Sequence, residues 1–459
     1  MDFDLKWVAE ACGAKLTGDP DRRSKRIWTD TRTLEKDDLF LALSGVRYDA
    51  HDYLSQAYER GARAFVVSDA SRVPAVLRKD VTVLEVGDTL AAYGEIARRH
   101  RLAFKIPLVV VTGSVGKTTV KELIAQLLSP RYQVLRNRGT ENNLVGVPKT
   151  LLQMNSDHRA AVIEIGTNAP GEIERLTRLC MPQMAVLTAI GASHLEGLKD
   201  LEGVKAEKLK VLSHLERGGL LVLNGEDPML RDARSGVHRI VRAGWSGSGC
   251  DFEASGLWCH EKGSAFQIGD KERYETPLIG RHLALDCVLA LAAASCFELT
   301  QEDKQKALST FRPVAGRMQY KECDGVRFID DTYNCNPTSL RSALETLKGF
   351  KVRERKVVIV GDMYELGEKS EEYHRQAGGW ISEGLFDLVI TAGRASRWTA
   401  EEAVRSGLGE DRVHHTEDSE SAAKLYKKLA RPGDLVLVKG SRGMQMEKVL
   451  ECFTNCSTR

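Results

Sequence analysis

The sequence predicts an α/β protein built from three domains, and three observations carry that expectation. Its 459 residues exceed the roughly 250–300 at which one hydrophobic core stops growing. Strand-length apolar runs alternate with helix-length amphipathic stretches, the pattern of βαβ units and parallel sheets. The alternation is broken twice by proline-containing segments, at 104–107 and at Arg312 followed by Pro313, so the expected domains are 1–104, 105–312 and 313–459.

In the first domain the runs 38–43, 64–67 and 81–84 read as strands around a helical pattern from Tyr53 to Arg60, bounded by Gly45 and Gly61. A helix follows from an Asp88 N-cap to about His100. That is a small α/β domain. In the central domain apolar strands recur at 108–111, 161–163, 185–187 and 220–223, separated by helices, which predicts a parallel sheet. A second series, at 357–360, 388–390 and 435–438, runs each strand into a turn containing glycine. Ligands of open α/β sheets sit beyond the carboxyl ends of the strands, so those turns are where chemistry is sought.

Composition narrows the function. Hydrophobic residues make up 42% and charged residues 28%, as in a globular chain with a full core. Lys and Arg total 66 against 64 Asp and Glu, and a net charge of +2 gives no basic field for nucleic acid or anionic lipid. Small ligands are the expected partners. The longest apolar stretch, 287–297, falls short of the ~20 residues of a membrane helix. The opening Met1-Asp2-Phe3-Asp4 lacks a basic, apolar leader, so a cytoplasmic location is expected. Ten cysteines without a CxxC pair suggest reduced thiols. A monomer is the default, for want of an obvious apolar interface.

The chemistry begins where strand 108–111 runs into Thr112-Gly113-Ser114-Val115-Gly116-Lys117-Thr118-Thr119. The helix that follows carries Val120, Leu123, Ile124 and Leu127 on one face. Glycines let backbone N–H groups wrap phosphate at a helix N-terminus, Lys117 neutralises the outer phosphates, and the Thr118 hydroxyl suits Mg²⁺. The spacing is shorter than GxxxxGK[ST], since position 111 is Val, so ordinary P-loop motors and GTPases fit less well. Glu164 ends the next strand, where a carboxylate reaches a nucleotide-bound Mg²⁺ or is simply solvated, and His194 stands at the same edge as ligand or loop residue. The predicted helix 201–215 places Lys208 on the apolar stripe of Leu201, Val204, Val211, Leu212 and Leu215, whereas Lys205 and Lys210 lie off it. Two readings of Lys208 are open: its stem snorkels to water, or its desolvated neutral amine reacts with CO₂ to give a carbamate, an anionic oxygen ligand for Mg²⁺.

These residues resemble the ATP-dependent Mur ligases of peptidoglycan synthesis, and the resemblance runs over essentially the whole chain. Its marks in the first two domains are Thr29-Asp30-Thr31-Arg32, Leu39-Phe40-Leu41-Ala42-Leu43-Ser44-Gly45, the TGxxGKTT loop, Asn142-Asn143-Leu144-Val145-Gly146-Val147-Pro148, Glu164-Ile165-Gly166-Thr167-Asn168 and His194-Leu195-Glu196-Gly197. The third domain adds Gly316-Arg317, Asp330-Asp331-Thr332-Tyr333-Asn334-Cys335-Asn336-Pro337, Gly361-Asp362-Met363-Tyr364-Glu365-Leu366-Gly367 and Val438-Lys439-Gly440-Ser441-Arg442-Gly443. This last group is similar to the branch that adds D-alanyl-D-alanine. The Asp-Asn-Pro-Arg motif expected of the branch adding the third amino acid is absent.

The resemblance implies a UDP-binding first domain, a P-loop ATPase middle and a Rossmann-like third domain. It implies that Lys208 is carbamylated and, with Thr118, Glu164 and His194, organises two Mg²⁺ ions. ATP would be held by Gly113, Ser114, Val115, Gly116, Lys117, Thr118 and Thr119, by Asn224 and Asp286 on the base side, and by Arg317 and Asp331 once the third domain closes. The UDP-linked substrate would lie against Asp30, Thr31, Arg32, Ser44, Asn142 and Asn143, and the dipeptide against Tyr333, Asn334, Asn336 and Arg442. The chain departs from the family in reading Gly139-Thr140-Glu141-Asn142-Asn143 for GNxNN and His282-Leu283-Ala284-Leu285-Asp286 for HNxxN. A carboxylate at Asp286 accepts from the adenine amino group but cannot donate to a ring nitrogen. Cys335 replaces a usual alanine and has nothing nearby to mark an activated thiol. The implied reaction joins UDP-N-acetylmuramoyl-tripeptide to D-alanyl-D-alanine at the expense of ATP. A folylpolyglutamate synthase would share the loop and the carbamate but needs no UDP-binding module, and a nucleotide switch or transport ATPase would hydrolyse ATP with no acceptor.

Overall fold

The computed structural model describes residues 2–45, 48–453 and 457–458. The N-terminal region carries a five-stranded sheet ordered Lys15–Thr17, Thr82–Glu85, Ala64–Val67, Leu39–Leu41, Ile27–Trp28, so each predicted strand run falls on an observed strand. Helix Thr89–Leu102 starts where expected, because the Asp88 carboxylate accepts the free N–H groups of Leu90 and Ala91. Near the end of that helix Arg101 is 3% exposed and donates to the carbonyls of Cys180, Phe104 and Ile106. A buried guanidinium bonded to three carbonyls rivets the first sheet's last helix onto the central unit.

The central sheet has nine strands, ordered Glu272–Thr276, Gly263–Ile268, Phe252–His260, Arg239–Trp245, Leu220–Asn224, Met184–Leu187, Leu108–Thr112, Ala160–Glu164, Val134–Arg136. Leu108–Thr112 lies between Met184–Leu187 and Ala160–Glu164, parallel to both. It is fully buried and reads as an unbroken apolar run for that reason. The chain leaves it toward one side of the sheet and later returns on the other, so its carboxyl end opens at the topological switch point. The expected all-parallel sheet needs correction at one end, where Gly263–Ile268 and Glu272–Thr276 pair antiparallel. Tight turns of a few residues separate these strands, too short for a crossover helix.

The predicted helix 201–215 is also corrected. It is α-helical over Leu201–Leu209 and continues as a 3₁₀ turn over Lys210–His214. Leu201 is 37% exposed and does not belong to the buried stripe, which starts at Val204. Lys208 does belong to it, at 1% exposed. Next to it Glu207 accepts from the N–H groups of Gly171 and Ile173, which anchors this helix to the start of helix Glu172–Cys180.

The C-terminal sheet has seven strands, ordered Val413–Thr416, Leu388–Ala392, Lys356–Gly361, Leu435–Lys439, Val326–Asp331, Gln319–Cys323, Ser457–Thr458. The first five are parallel and the last two antiparallel additions. Eight described cysteines are free, as expected, but Cys323 is disulfide-bonded, a departure from the reduced-thiol expectation. Pairing of Glu322 with Ser457 brings the end of the chain alongside it. No helix among the described residues is long and apolar enough to cross a membrane.

Candidate active site

The carboxyl edges of the central and C-terminal sheets face one another across a cavity of about 510 Å³, within the range of small-molecule sites. Its floor is the phosphate loop. Gly113 has φ 149°, and a Cβ there would lie 1.9 Å from Thr188 Oγ1, so only glycine allows the approach. The loop is tied to its neighbouring strand by Ser114 N–H donating to Ala189 O at 2.8 Å and by the Thr188 hydroxyl donating to Val115 O. Gly116, at φ 84°, caps helix Lys117–Leu128 with no side chain in the way, leaving the first N–H groups of the helix for an anion.

Glu164 is buried at the end of its strand, with both oxygens held. Thr118 Oγ1 donates to Oε2 at 2.8 Å and Asn142 Nδ2 donates to Oε1 at 2.8 Å, while Asn137 Oδ1 accepts the Glu164 N–H at 2.9 Å. Burial pulls the Lys117 amine below its ordinary range; Glu164 opposes that and Arg317 adds to it. Lys208 is pushed much further down, by burial first and then by Lys117, and no described residue forms a hydrogen bond or ion pair with its amine. Both effects shift the balance toward the neutral amine.

The third domain closes the opposite wall. Arg317 reaches across to donate to Thr118 Oγ1 at 3.1 Å, its guanidinium stacks 4.3 Å from the Tyr333 ring, and its buried Nε has no partner. Asp331 accepts from Lys439 Nζ and from the Met318 N–H, and Lys439 also donates to Asn334 O at 2.9 Å. Burial raises the Asp331 carboxyl and Lys439 pulls it back. Asn224, Leu283 and Asp286 also line the cavity. The Asp286 carboxylate packs on the loop, 2.6 Å from where a Gly116 Cβ would be, and burial holds its pKa well above the ordinary range, with Arg317 opposing. His282 is depressed to about 4 by burial and by Lys439.

Family models described as the Mur ligase family catalytic domain, the Mur ligase middle domain and the Mur ligase glutamate ligase domain match residues 24–101, 111–294 and 316–442. The chain belongs to the Mur ligase family. It is 35% identical over 427 residues to the UDP-N-acetylmuramoyl-tripeptide–D-alanyl-D-alanine ligase of Bacillus subtilis (strain 168), covering 93% of this chain and 92% of that one. To the ligase of the same name from Escherichia coli (strain K12) it is 32% identical, covering 98% and 96%. Among solved structures, MurF from Acinetobacter baumannii superposes with TM-score 0.89 at 28% identity, over 98% of both chains. MurF from Thermotoga maritima in complex with ADP superposes with TM-score 0.82 at 25% identity, over 94% of this chain and 97% of that one.

In this Mur ligase the residues expected on sequence grounds divide into those that meet and those that do not. Ser114 through Thr119, Glu164, His194, Asn224, Asp286, Arg317, Asp331, Tyr333, Asn334 and Asn336 all line the cavity. Asn142, expected on the UDP side, also lines it through its bond to Glu164. Asn143 instead spends its amide oxygen on the N–H groups of Val145 and Gly146, starting helix Gly146–Leu151. Asn336 likewise caps helix Pro337–Gly349, accepting from Ser339 N–H at 2.9 Å. Arg442 lies outside, its side chain 63% exposed and paired with Glu447 at 2.9 Å. Asp30, Thr31, Arg32 and Ser44 do not line this cavity: Asp30 caps the 3₁₀ turn Thr31–Thr33 and accepts from Arg32, Thr31 bonds Gln56, and Ser44 bonds Asp49.

Three residues were given no site role on sequence grounds, although Lys439 and Glu365 stand in the quoted motifs: Asn137, which buttresses Glu164; Lys439, which neutralises Asp331; and Glu365, whose Oε2 stands 2.7 Å from His194 Nδ1. Lys439 was detectable as a lysine ending an apolar strand at its carboxyl edge. Asn137 and Glu365 sit in loops with no periodic signal.

The Asp286 shift gives a signed test. Its folded pKa is raised above the unfolded value of about 3.9, so the native state holds the proton longer and stability falls as pH climbs through the window above that value. Asp286→Asn removes the penalty. The melting temperature of the variant relative to the parent rises with pH above about 4, read from thermal melts in a buffer series; a difference flat with pH contradicts the assignment.

Proposed function

We infer that the chain is an ATP-dependent ligase that joins D-alanyl-D-alanine to UDP-N-acetylmuramoyl-tripeptide, yielding UDP-N-acetylmuramoyl-pentapeptide, ADP and phosphate. The observation that carries this is the full-length likeness to ligases of that name, at 35% identity over 93% of the chain. The shared cleft supports it, because Arg317 of one domain meets Thr118 on the phosphate loop of another. Folylpolyglutamate synthase from Thermotoga maritima, with TM-score 0.54 and 14% identity, is alike in fold alone.

The tripeptide carboxylate attacks the γ-phosphorus of ATP, forming a P–O bond as ADP leaves. The dipeptide amine then attacks the acyl carbon, expels phosphate and loses a proton to form the amide. The chain's own contribution is positioning and charge. Loop N–H groups and Lys117 hold the phosphates, and the unpartnered Arg317 Nε is a donor waiting for an anionic oxygen. Asp331, braced by Lys439, is the acceptor this reading gives to the ribose hydroxyls.

The residues fit Mg²⁺. The Thr118 hydroxyl and Glu164 carboxylate are hard oxygen donors side by side. Mg²⁺ keeps several phosphate or water ligands and takes few from protein. Thr118, Glu164, His194 and carbamylated Lys208 would hold it. When bound it would neutralise charge on the transferring phosphoryl group. The carbamate forms as the neutral Lys208 amine adds to CO₂ and releases a proton. ATP and a UDP-linked substrate both place the work in the cytoplasm, and we take the chain to act as a monomer.

Phosphate release is expected only when both UDP-N-acetylmuramoyl-tripeptide and D-alanyl-D-alanine accompany ATP, with a product of pentapeptide mass. Turnover with a single amino acid or a folate, or ATPase activity indifferent to acceptor, contradicts the reading. Lys208→Ala is expected to abolish ligation without altering the circular dichroism spectrum, and to remove a carbamate carbon resonance seen after labelling the parent with ¹³C-bicarbonate. Near-normal turnover of that variant removes the carbamate from the mechanism.

A further inference from the structure

We propose that Glu365 of the third domain is a positioning residue for His194 of the central domain, keeping the imidazole proton on Nδ1 so that Nε2 offers its lone pair to the cleft. The inference rests on the ligase reading only for what the cleft does. The geometry stands apart from it.

The two loops dock through two contacts made by one residue. Glu365 Oε2 lies 2.7 Å from His194 Nδ1, and Glu365 O accepts the Leu195 N–H at 3.2 Å. A carboxylate is an acceptor only, so at that distance the Nδ1 lone pair would face an oxygen lone pair unless a proton lies between them. The proton therefore sits on Nδ1, which leaves Nε2 bare when the ring is neutral. His194 lines the cavity that holds Lys117, Thr118, Glu164 and Arg317, so the bare nitrogen belongs to a ring already at the site.

Both partners hold backbones that side chains seldom adopt. His194 has φ 56° and ψ 34°, and Glu365 has φ 63°. Strained non-glycine residues persist where their surroundings demand them and cluster at functional sites. Stability alone gives little reason for the pair, since the Glu365 side chain is 56% exposed and a wet ion pair adds little. What it does fix is the ring, in the manner of carboxylates that orient histidine ligands from behind. Because Glu365 and His194 belong to different sheets, the orientation holds only while the two domains are docked.

The test uses the full chain labelled with ¹⁵N and two-bond correlations of the histidine rings at about pH 8, above the ordinary histidine titration. His194 is assigned by its loss in His194→Gln. The parent is expected to show Nδ1 protonated and Nε2 bare. Glu365→Ala shifts the ring toward the Nε2-protonated form, and Glu365→Gln, which keeps an oxygen acceptor, retains the parent tautomer. In the ligation assay Glu365→Ala lowers kcat about 10- to 100-fold with little change in KM for the dipeptide, and Glu365→Gln recovers most of it. A parent ring protonated on Nε2, or a Glu365→Ala variant with unchanged tautomer and kcat, overturns the proposal. The ring measurement needs no substrate and no metal, so a parent without ligase activity would sink the functional reading while leaving this one to be judged by its spectrum.

Discussion

Lys117 and Lys208 are buried near the carboxylate of Glu164, with Glu207 also acting on Lys208, and the charge balance of the site turns on that burial. Each lysine loses solvation, and the Lys117 charge further disfavours a second one on Lys208. Glu164 favours the charged form of both lysines while also accepting from Thr118 and Asn142, and burial outweighs it at each. Burial and Lys117 both favour the neutral form of the Lys208 amine, and the cationic loop suits a phosphate. Arg317 adds a third cation with a donor unspent. Such a site is arranged in advance for a polyanion, which is how enzymes stabilise charge that develops during phosphoryl transfer.

The fold supplies this arrangement by setting two sheets edge to edge. The phosphate loop leaves the central sheet at its switch point, where neighbouring strands diverge and leave room for a ligand. The C-terminal sheet offers its own carboxyl edge, with Asp331 and Lys439 ending adjacent parallel strands in register. Their pairing buries an ion pair that would otherwise be costly. Domain docking is therefore chemical as well as mechanical. Arg317 touches the phosphate loop and Glu365 touches His194, so both parts of the central site feel the position of the third domain.

Much of this was legible in the sequence where periodicity and burial coincide. The strand ahead of the loop is apolar because it is covered on both faces, and the glycines of the loop are required by Thr188 and Asp286 pressing against them. Lys208 announced itself by falling on the same stripe as Val204 and Val211. The same reasoning failed for Leu201, because a helix's first turn need not face the core, and for the helix's length, since the chain passes into a 3₁₀ turn at Lys210 while Val211 and Leu215 stay buried as expected. The antiparallel strands after Phe252–His260 were missed because a hairpin and a crossover look alike in the apolar pattern without the turn geometry. Arg442 and Asn143 show a different limit: a motif residue can serve a surface pair or a cap, and spacing does not tell which. Glu365 was hidden because its partner lies in another domain.

The central claim is that the cleft transfers the γ-phosphoryl group to a carboxylate and not to water. Turnover with UDP-N-acetylmuramoyl-tripeptide carrying oxygen-18 in its terminal carboxylate tests it directly, with ATP, D-alanyl-D-alanine and mass analysis of the released phosphate. If the carboxylate attacks phosphorus and the acyl C–O bond then breaks, each phosphate carries one heavy oxygen. Phosphate free of oxygen-18 under conditions that form the amide would contradict the account.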